Sequence, residues 1–393
     1  MATTSGIKTL VLRHETKPLE HRTTLSPQVC KQLIDQKGFK ILVEKCNQRI
    51  FALEEYVNAG CEVVDYYWDD DAHRNKADNS VLVVGLKEFP EDEDFSLVHK
   101  HLMFAHCYKM QAGWQKTLDR FVRGGGVLYD LEFLVDPQTN RRVAAFGYYA
   151  GFSGCAIGIE AWCHQQRQLH AQGEVSELKN IQPYANEELL IASLKDKLAQ
   201  VPNAVKPRVL VIGAKGRCGN GAVTLAKRAG ITDVTEWDIQ ETTERIQSGS
   251  AQPFAEILRD YDIFVNCIYL TASSGKDFPP FIDAKSLETV GQNRRLSMVV
   301  DVSCDPTSPY NPLPVYSRTT TFTEPLITIT PATSSAPSLQ ICAIDHLPTL
   351  LPRESSIQFS SDLLPSLLQL DSIETAPVWA NAKQLFDEKV SSL

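Results

Sequence analysis

No run of apolar residues in this chain approaches the roughly 20 needed to span a bilayer, so no membrane-crossing helix is expected among its 393 residues. An excess of positive charge is missing too: 39 Lys and Arg stand against 48 Asp and Glu, a formal net charge of -9 at pH 7. That balance gives no general attraction for phosphate backbones or anionic lipid, so nucleic acid and membrane are not expected as partners and any basic site must be local. The ten cysteines include no C-x-x-C pair, which indicates neither a structural zinc site nor a secreted disulfide framework. No metal is expected, and most thiols read as small buried hydrophobes. The opening Met1–Ser5 lacks the apolar core of a secretory signal. The closing Ser391-Ser392-Leu393 resembles the Ser-Lys-Leu peroxisomal address without its basic middle residue. A cytoplasmic location is expected, with the peroxisome as the alternative.

What is there is enough for two domains: the length fits two on the usual prior, and 43% of residues are hydrophobic. The first third alternates strand and helix signals. Thr9-Leu10-Val11-Leu12 is followed by a helix opened by Ser26-Pro27 and closed by Gly38, then by Ile41-Leu42-Val43. The pattern continues through Val81-Leu82-Val83-Val84, Leu102-Met103-Phe104-Ala105 and a helix ending at Gly124-Gly125-Gly126 before Val127-Leu128-Tyr129. Strands this apolar are usually buried on both faces of a parallel sheet. Residues 144–166 read as an apolar helix rich in small residues, suited to close packing between layers, followed by a polar stretch from Gln165 to Gln182. Asn186 then caps a helix, and Pro202 to Pro207 leads into the next strand.

That strand, Val209-Leu210-Val211-Ile212, runs straight into Gly213-Ala214-Lys215-Gly216-Arg217-Cys218-Gly219-Asn220-Gly221, and a helix to Gly230 and a strand ending at Asp238 follow. Strand, glycine turn, helix, strand, acid is the dinucleotide-binding order. Glycines let the backbone approach a pyrophosphate, and the helix N-terminus favours its charge. An acid on the second strand accepts hydrogen bonds from ribose hydroxyls and repels a 2'-phosphate, so NAD is preferred over NADP. The turn is G-x-x-G-x-x-G, a departure from the usual spacing. Strands at Ile263–Asn266 and Met298–Val302 place Tyr269, Ser303 and Asp305 at polar strand ends. Residues 345–393 are too few for a domain of their own. The expected architecture is therefore α/β, two Rossmann-like doubly wound domains with a cleft between them and the second inserted in the first: 1–143 with 345–393 for substrate, 144–344 for NAD.

In the first domain, ionisable residues follow apolar strands: Lys87-Glu88, His106 and Glu132. A lysine near another cation and partly shielded from water loses its proton more easily and can act as a base. Its neighbour Glu88 would oppose that shift. Taken singly, Lys87-Glu88 reads as a solvated ion pair and His106 as a core histidine; together the strand ends point to a site. Cys107 is not read as a nucleophile, because strand neighbours point to opposite faces. Arg22 and Arg141-Arg142 are candidate forks for substrate carboxylates.

At these residues the chain resembles a known family. The segment Leu12-Arg13-His14-Glu15-Thr16-Lys17-Pro18-Leu19-Glu20-His21-Arg22, with Gly85-Leu86-Lys87-Glu88, Phe104-Ala105-His106-Cys107-Tyr108-Lys109, Gln111-Ala112-Gly113-Trp114, Tyr129-Asp130-Leu131-Glu132-Phe133-Leu134, Arg141-Arg142-Val143-Ala144-Ala145-Phe146-Gly147 and Asp345-His346-Leu347-Pro348, resembles the NAD-dependent, L-lysine-forming saccharopine dehydrogenases of fungal lysine biosynthesis. The arginine-led start and Leu-Lys-Glu also suit the wider alanine dehydrogenase and transhydrogenase superfamily.

The resemblance implies an oxidoreductase acting on a CH–NH donor. Lys87 would take the proton from the secondary amine as hydride leaves, and His106 would serve imine hydrolysis, with Glu88 and Glu132 tuning both. It also implies that Arg22, Lys87, Gln111, Arg142 and Phe146 line the saccharopine site. Arg141, Gly216, Arg217, Asp238, Thr242, Tyr269, Val302, Ile344, Asp345, His346 and Leu347 would contact NAD. In the family Cys218 and Cys267 are close enough to pair as a disulfide; in a reducing compartment they are expected mostly reduced. The expected partners are small molecules, namely saccharopine, L-lysine and 2-oxoglutarate, and a monomer is expected. The chain departs from the family in its linker from about Gln165 to Val205, in Thr271 to Asp277, and in its C-terminal tripeptide. Two rival readings are an alanine-type amino-acid dehydrogenase and a non-catalytic NAD-binding sensor.

Overall fold

The computed structural model describes residues 6–67, 76–90, 92–170, 177–275, 277–331 and 337–393. The Met1–Ser5 reading, Lys276 of the Thr271–Asp277 run, and 171–176 of the long linker lie outside the described residues. The chain divides into two compact units, Met1–Ala145 with Pro352–Leu393, and Phe146–Leu351.

The first unit is built on six parallel strands in the order β3-β2-β1-β4-β5-β6. These are β1 (Thr9–Leu12), β2 (Lys40–Glu44), β3 (Glu62–Val64), β4 (Val81–Val84), β5 (Lys100–Met103) and β6 (Val127–Asp130). All four residues of β4 are buried, as a central strand covered on both faces requires. The strand order reverses between β1 and β4, and the carboxyl ends of strands beside such a reversal form a natural ligand crevice. Helix α1 (Pro27–Lys37) starts where Ser26 accepts the Val29 amide and stops at Gly38, whose φ of 68° favours glycine. β5 begins two residues before the apolar run because Lys100 and His101, polar in sequence, are both buried in it.

The last helices, α11 (Pro352–Leu367) and α12 (Pro377–Val390), belong to this unit. α11 is stitched to the start of α1 by two buried serines: Ser356 Oγ accepts the Thr23 amide and Ser360 Oγ the Ser26 amide, each at 2.9 Å. On α12, Trp379 is fully buried and donates to the Ser366 carbonyl at 2.9 Å.

The second unit has a six-stranded sheet in the order β10-β9-β11-β12-β14-β13. Its strands are β9 (Val209–Ile212), β10 (Val234–Trp237), β11 (Ile263–Asn266), β12 (Met298–Asp301), β13 (Ile327–Thr330) and β14 (Leu339–Cys342). All neighbours are parallel except the edge pair β13–β14, and here the order reverses between β9 and β11. The segment Asp345–Leu351, expected with the first unit, falls in this one, because Leu347, Leu350 and Leu351 are buried in its core.

Helix α4 (Gly147–His170) is longer than the apolar run predicts and extends into the polar stretch. Gln165 shows how: its amide donates to the Ser297 carbonyl at 3.1 Å and to Gln340 Oε1 at 2.8 Å. None of the described helices is long and apolar enough to cross a membrane. The small residues of α4 let it lie against α6 (Arg217–Arg228) and β12, since a Cβ on Gly151 would overlap the Cys218 carbonyl and one on Gly158 would press on Val300.

Gly151→Ala is therefore expected to lower the urea-unfolding free energy of this unit by about 1–3 kcal/mol. A loss below about 0.5 kcal/mol would show that the two helices tolerate a methyl group between them.

Candidate active site

In the first unit, the loops leaving β1, β4, β5 and β6 carry the candidate catalytic residues. Glu88 bridges an imidazole and an ammonium: its Oε2 lies 3.0 Å from His106 Nδ1 and its Oε1 2.7 Å from Lys17 Nζ. Burial alone would raise the Glu88 carboxyl, but the hydrogen bonds from His106 and Lys17 outweigh it and hold the group well below the usual carboxylate range. His106 sits at a φ of 49°, an uncommon conformation for a side-chain-bearing residue. Its ring stacks on Phe104 with centroids 6.3 Å apart and planes at 19°.

Lys87 is pulled below the ordinary lysine range, first by burial and then by the positive charges of Arg22 and Lys17; Glu20 and Glu88 oppose the shift. The direction matches what a cation beside a half-shielded lysine implies. Cys107 is buried, and burial pushes its thiol up, away from the reactive thiolate.

Arg22 does not stand as an exposed fork. It is buried, and its Nε and Nη2 bind both oxygens of Glu20 at 2.9 and 2.8 Å. Burial raises the Glu20 carboxyl, but the charge and hydrogen bonds of Arg22, together with the charge of Lys87, carry it below its ordinary value. Glu132 pairs with Lys109 at 2.7 Å. Just before it, buried Asp130 accepts the amides of Glu132 at 2.8 Å and Ala105 at 3.3 Å, and burial pushes this carboxyl up to about 6. Gln111 lines, with Glu88, Ala105 and His106, a cavity of about 380 Å³. Arg141 and Arg142 are exposed on the short strand β8 (Arg141–Arg142), paired with β7 (Val135–Asp136), whereas Phe146 opens the second unit.

The second unit holds the dinucleotide motif in the expected form. Gly213, directly after β9, has a φ of 81°, and a Cβ on Gly219 would overlap the Gly213 carbonyl. Gly216 caps α6, and no acidic residue occupies that helix's first turn, so nothing there competes with a bound phosphate for the helix N-terminus. The loop is tied to the end of β10: Asp238 accepts the amides of Lys215 and Ile239, each at 2.8 Å. Those bonds leave lone pairs on the carboxylate for ribose hydroxyls. The cradle fits a dinucleotide.

The other cofactor candidates range from exposed to fully buried. Arg217 starts α6 and Tyr269 is exposed beyond β11. Val302 follows β12 and is half-buried, as is His346, while Asp345 beyond β14 is exposed. Thr242 is buried, its hydroxyl donating to the Asp238 carbonyl at 2.9 Å. Ile344 and Leu347 have fully buried side chains, which leaves only their main chain to meet a ligand. Burial, then the neighbouring Cys218, pushes the Cys267 thiol well up. No described group of His, Cys, Asp or Glu could hold a metal ion.

Sequence reading gives no role to Lys17, Glu20 or Asp130. The available signal for the first two is their place directly after an apolar strand, in a segment crowded with charge of both signs. Asp130 offers no signal, because a strand-end aspartate looks solvated until its burial is seen.

Residues 11–153 match the family described as alanine dehydrogenase/PNT, N-terminal domain. The solved transhydrogenase of Sinorhizobium meliloti superposes with a TM-score of 0.55 at 14% identity, covering 92% of this chain and 94% of that one, a likeness of fold. The saccharopine dehydrogenase [NAD(+), L-lysine-forming] of Candida albicans is 48% identical over 98% of this chain and 97% of its own length. The enzyme of the same name from Emericella nidulans is 48% identical over 99% of both chains, and that of Schizosaccharomyces pombe 45% over 98% and 99%. With identity at this level along the whole chain, the protein belongs to the family of NAD-dependent, L-lysine-forming saccharopine dehydrogenases.

Proposed function

We propose that the chain oxidises saccharopine with NAD and hydrolyses the product to L-lysine and 2-oxoglutarate, with Lys87 as base and His106 as the acid–base group of hydrolysis. One observation carries the assignment of roles. Two titratable nitrogens stand at neighbouring strand ends around the same carboxylate, Glu88, which is hydrogen bonded to His106 and acts electrostatically on Lys87.

NAD, when bound, supplies the hydride acceptor. As hydride leaves the carbon beside the secondary amine, neutral Lys87 takes the proton from nitrogen; a depressed pKa keeps more of it neutral at working pH. Water then adds to the carbon of the protonated imine while His106 accepts a proton from it, giving a carbinolamine. His106 returns that proton to the nitrogen that becomes the amine of L-lysine and takes up the carbinol O–H proton as the C–N bond breaks and the carbonyl of 2-oxoglutarate forms, and Glu88 holds the imidazole in place through these transfers. Arg142, exposed on β8, recognises a carboxylate of a substrate that carries several, and Arg22, oriented by its two-point bond to Glu20, supplies positive charge that attracts another. Asp238 selects NAD by repelling a 2'-phosphate.

The purified protein is expected to oxidise NADH only when L-lysine and 2-oxoglutarate are both present; oxidation with pyruvate and ammonia instead would support the alanine-type rival. Lys87→Met and His106→Gln should each slow turnover by about 10²–10⁴-fold while NADH titration gives nearly the wild-type Kd, and wild-type rates in both would remove their roles. The Glu20 carboxylate raises the Lys87 pKa, so Glu20→Gln lowers it further. In the saccharopine-oxidising direction, the rise of kcat/KM with pH then moves to lower pH; a move to higher pH would contradict the assignment of that limb to Lys87.

A further inference from the structure

Two charged residues just beyond β1 are buried and face the loop that carries Lys87. Arg13 is 1% and Glu15 7% exposed. Placing such a pair out of water is costly, and apolar residues of similar volume often serve stability as well. What they contact here is specific. Glu15 accepts the Leu86 amide at 2.7 Å on one oxygen and the Lys87 amide at 3.1 Å on the other. Arg13 donates to the Lys87 carbonyl through Nη2 and to the His14 carbonyl, at 2.9 Å, through Nη1.

The surroundings keep the pair in place. A Cβ on Gly85 would overlap the Arg13 guanidinium, so glycine there makes room for it. The same guanidinium lies over the Phe89 ring, 4.7 Å from its centroid, and Arg49 donates to the Arg13 carbonyl at 3.0 Å. The Lys87 main chain is thus held on both sides, its N–H by a carboxylate and its C=O by a guanidinium. Hydrogen bonds to charged partners are the stronger kind, and a side chain on a fixed backbone has fewer places to put its nitrogen.

We infer that Arg13 and Glu15 form a clamp that positions Lys87 for proton transfer without touching substrate themselves. The inference rests on the reading of Lys87 as the base. A group displaced by about 1 Å from the productive geometry loses on the order of 10²-fold in rate, so the clamp acts on kcat. Both residues grip main-chain atoms of Lys87, its N–H and its C=O, so what they fix is the place of the side chain.

The test is a double-mutant cycle in the full-length enzyme, pairing Glu15→Gln with Lys87→Met and measuring kcat with saccharopine and NAD. Glu15→Gln, which cannot accept both amides, is expected to lower kcat about 10- to 100-fold when Lys87 is present. Its pH limb and its Kd for NADH should stay unchanged. In the Lys87→Met background the same change should cost less than about 2-fold, there being no base left to position. Should Glu15→Gln not fold, Glu15→Asp, which keeps the charge and loses the reach, goes through the same cycle. An equal loss in both backgrounds, or none in either, overturns the clamp. A Lys87→Met enzyme at the wild-type rate overturns instead the base assignment on which the clamp rests.

Discussion

A lysine that is to accept a proton must sit close enough to negative charge to be tolerated inside the fold, yet not so well paired that it stays an ammonium. The first unit meets this constraint by committing both neighbouring carboxylates elsewhere. Glu20 is taken in a two-point bond by Arg22, and Glu88 is shared between Lys17 and His106. For Lys87, burial and the two cations Arg22 and Lys17 outweigh what Glu20 and Glu88 still contribute to its charge. The imidazole of His106 belongs to the same arrangement, since Glu88, which also faces Lys17, is bonded to its Nδ1.

The second unit answers a different demand, the approach of backbone to a diphosphate. Its glycines serve two neighbours at once. Gly213 and Gly219 shape the turn, while Gly151 on α4 and Gly221 on α6 bring two helices into contact, because a Cβ on Gly221 would overlap the Tyr148 carbonyl. A helix pressed this tightly behind the turn gives the cradle little freedom to deform. Cys218 lies within this contact, its carbonyl against Gly151.

Much of this is legible in the sequence, for identifiable reasons. The apolar strands, the glycine turn and the caps at Ser26 and Asn186 express local rules that tertiary structure leaves intact. Membership of the family follows from motifs spread along the chain. The less legible parts depend on burial of polar groups, which periodicity cannot show: β5 starts at Lys100, the C-terminal turns of α4 are polar, and Asp130 is internal. The same blindness affects the site. Arg22 reads as a candidate fork for a substrate carboxylate, and nothing in the sequence shows that it already holds Glu20; Arg13 and Glu15 read as part of a charged segment when both are interior. The segment after β14 is assigned to the wrong unit by sequence because three leucines were needed to see where it packs.

The claim on which the rest turns is that the Lys87 amine gives up its proton more readily than an ordinary lysine. NMR titration of the side chain in enzyme carrying isotopically labelled lysine, with the resonance assigned by its loss in Lys87→Met, measures this directly. The account predicts a midpoint below the ordinary lysine value of 10.5; a midpoint at or above that value would contradict it.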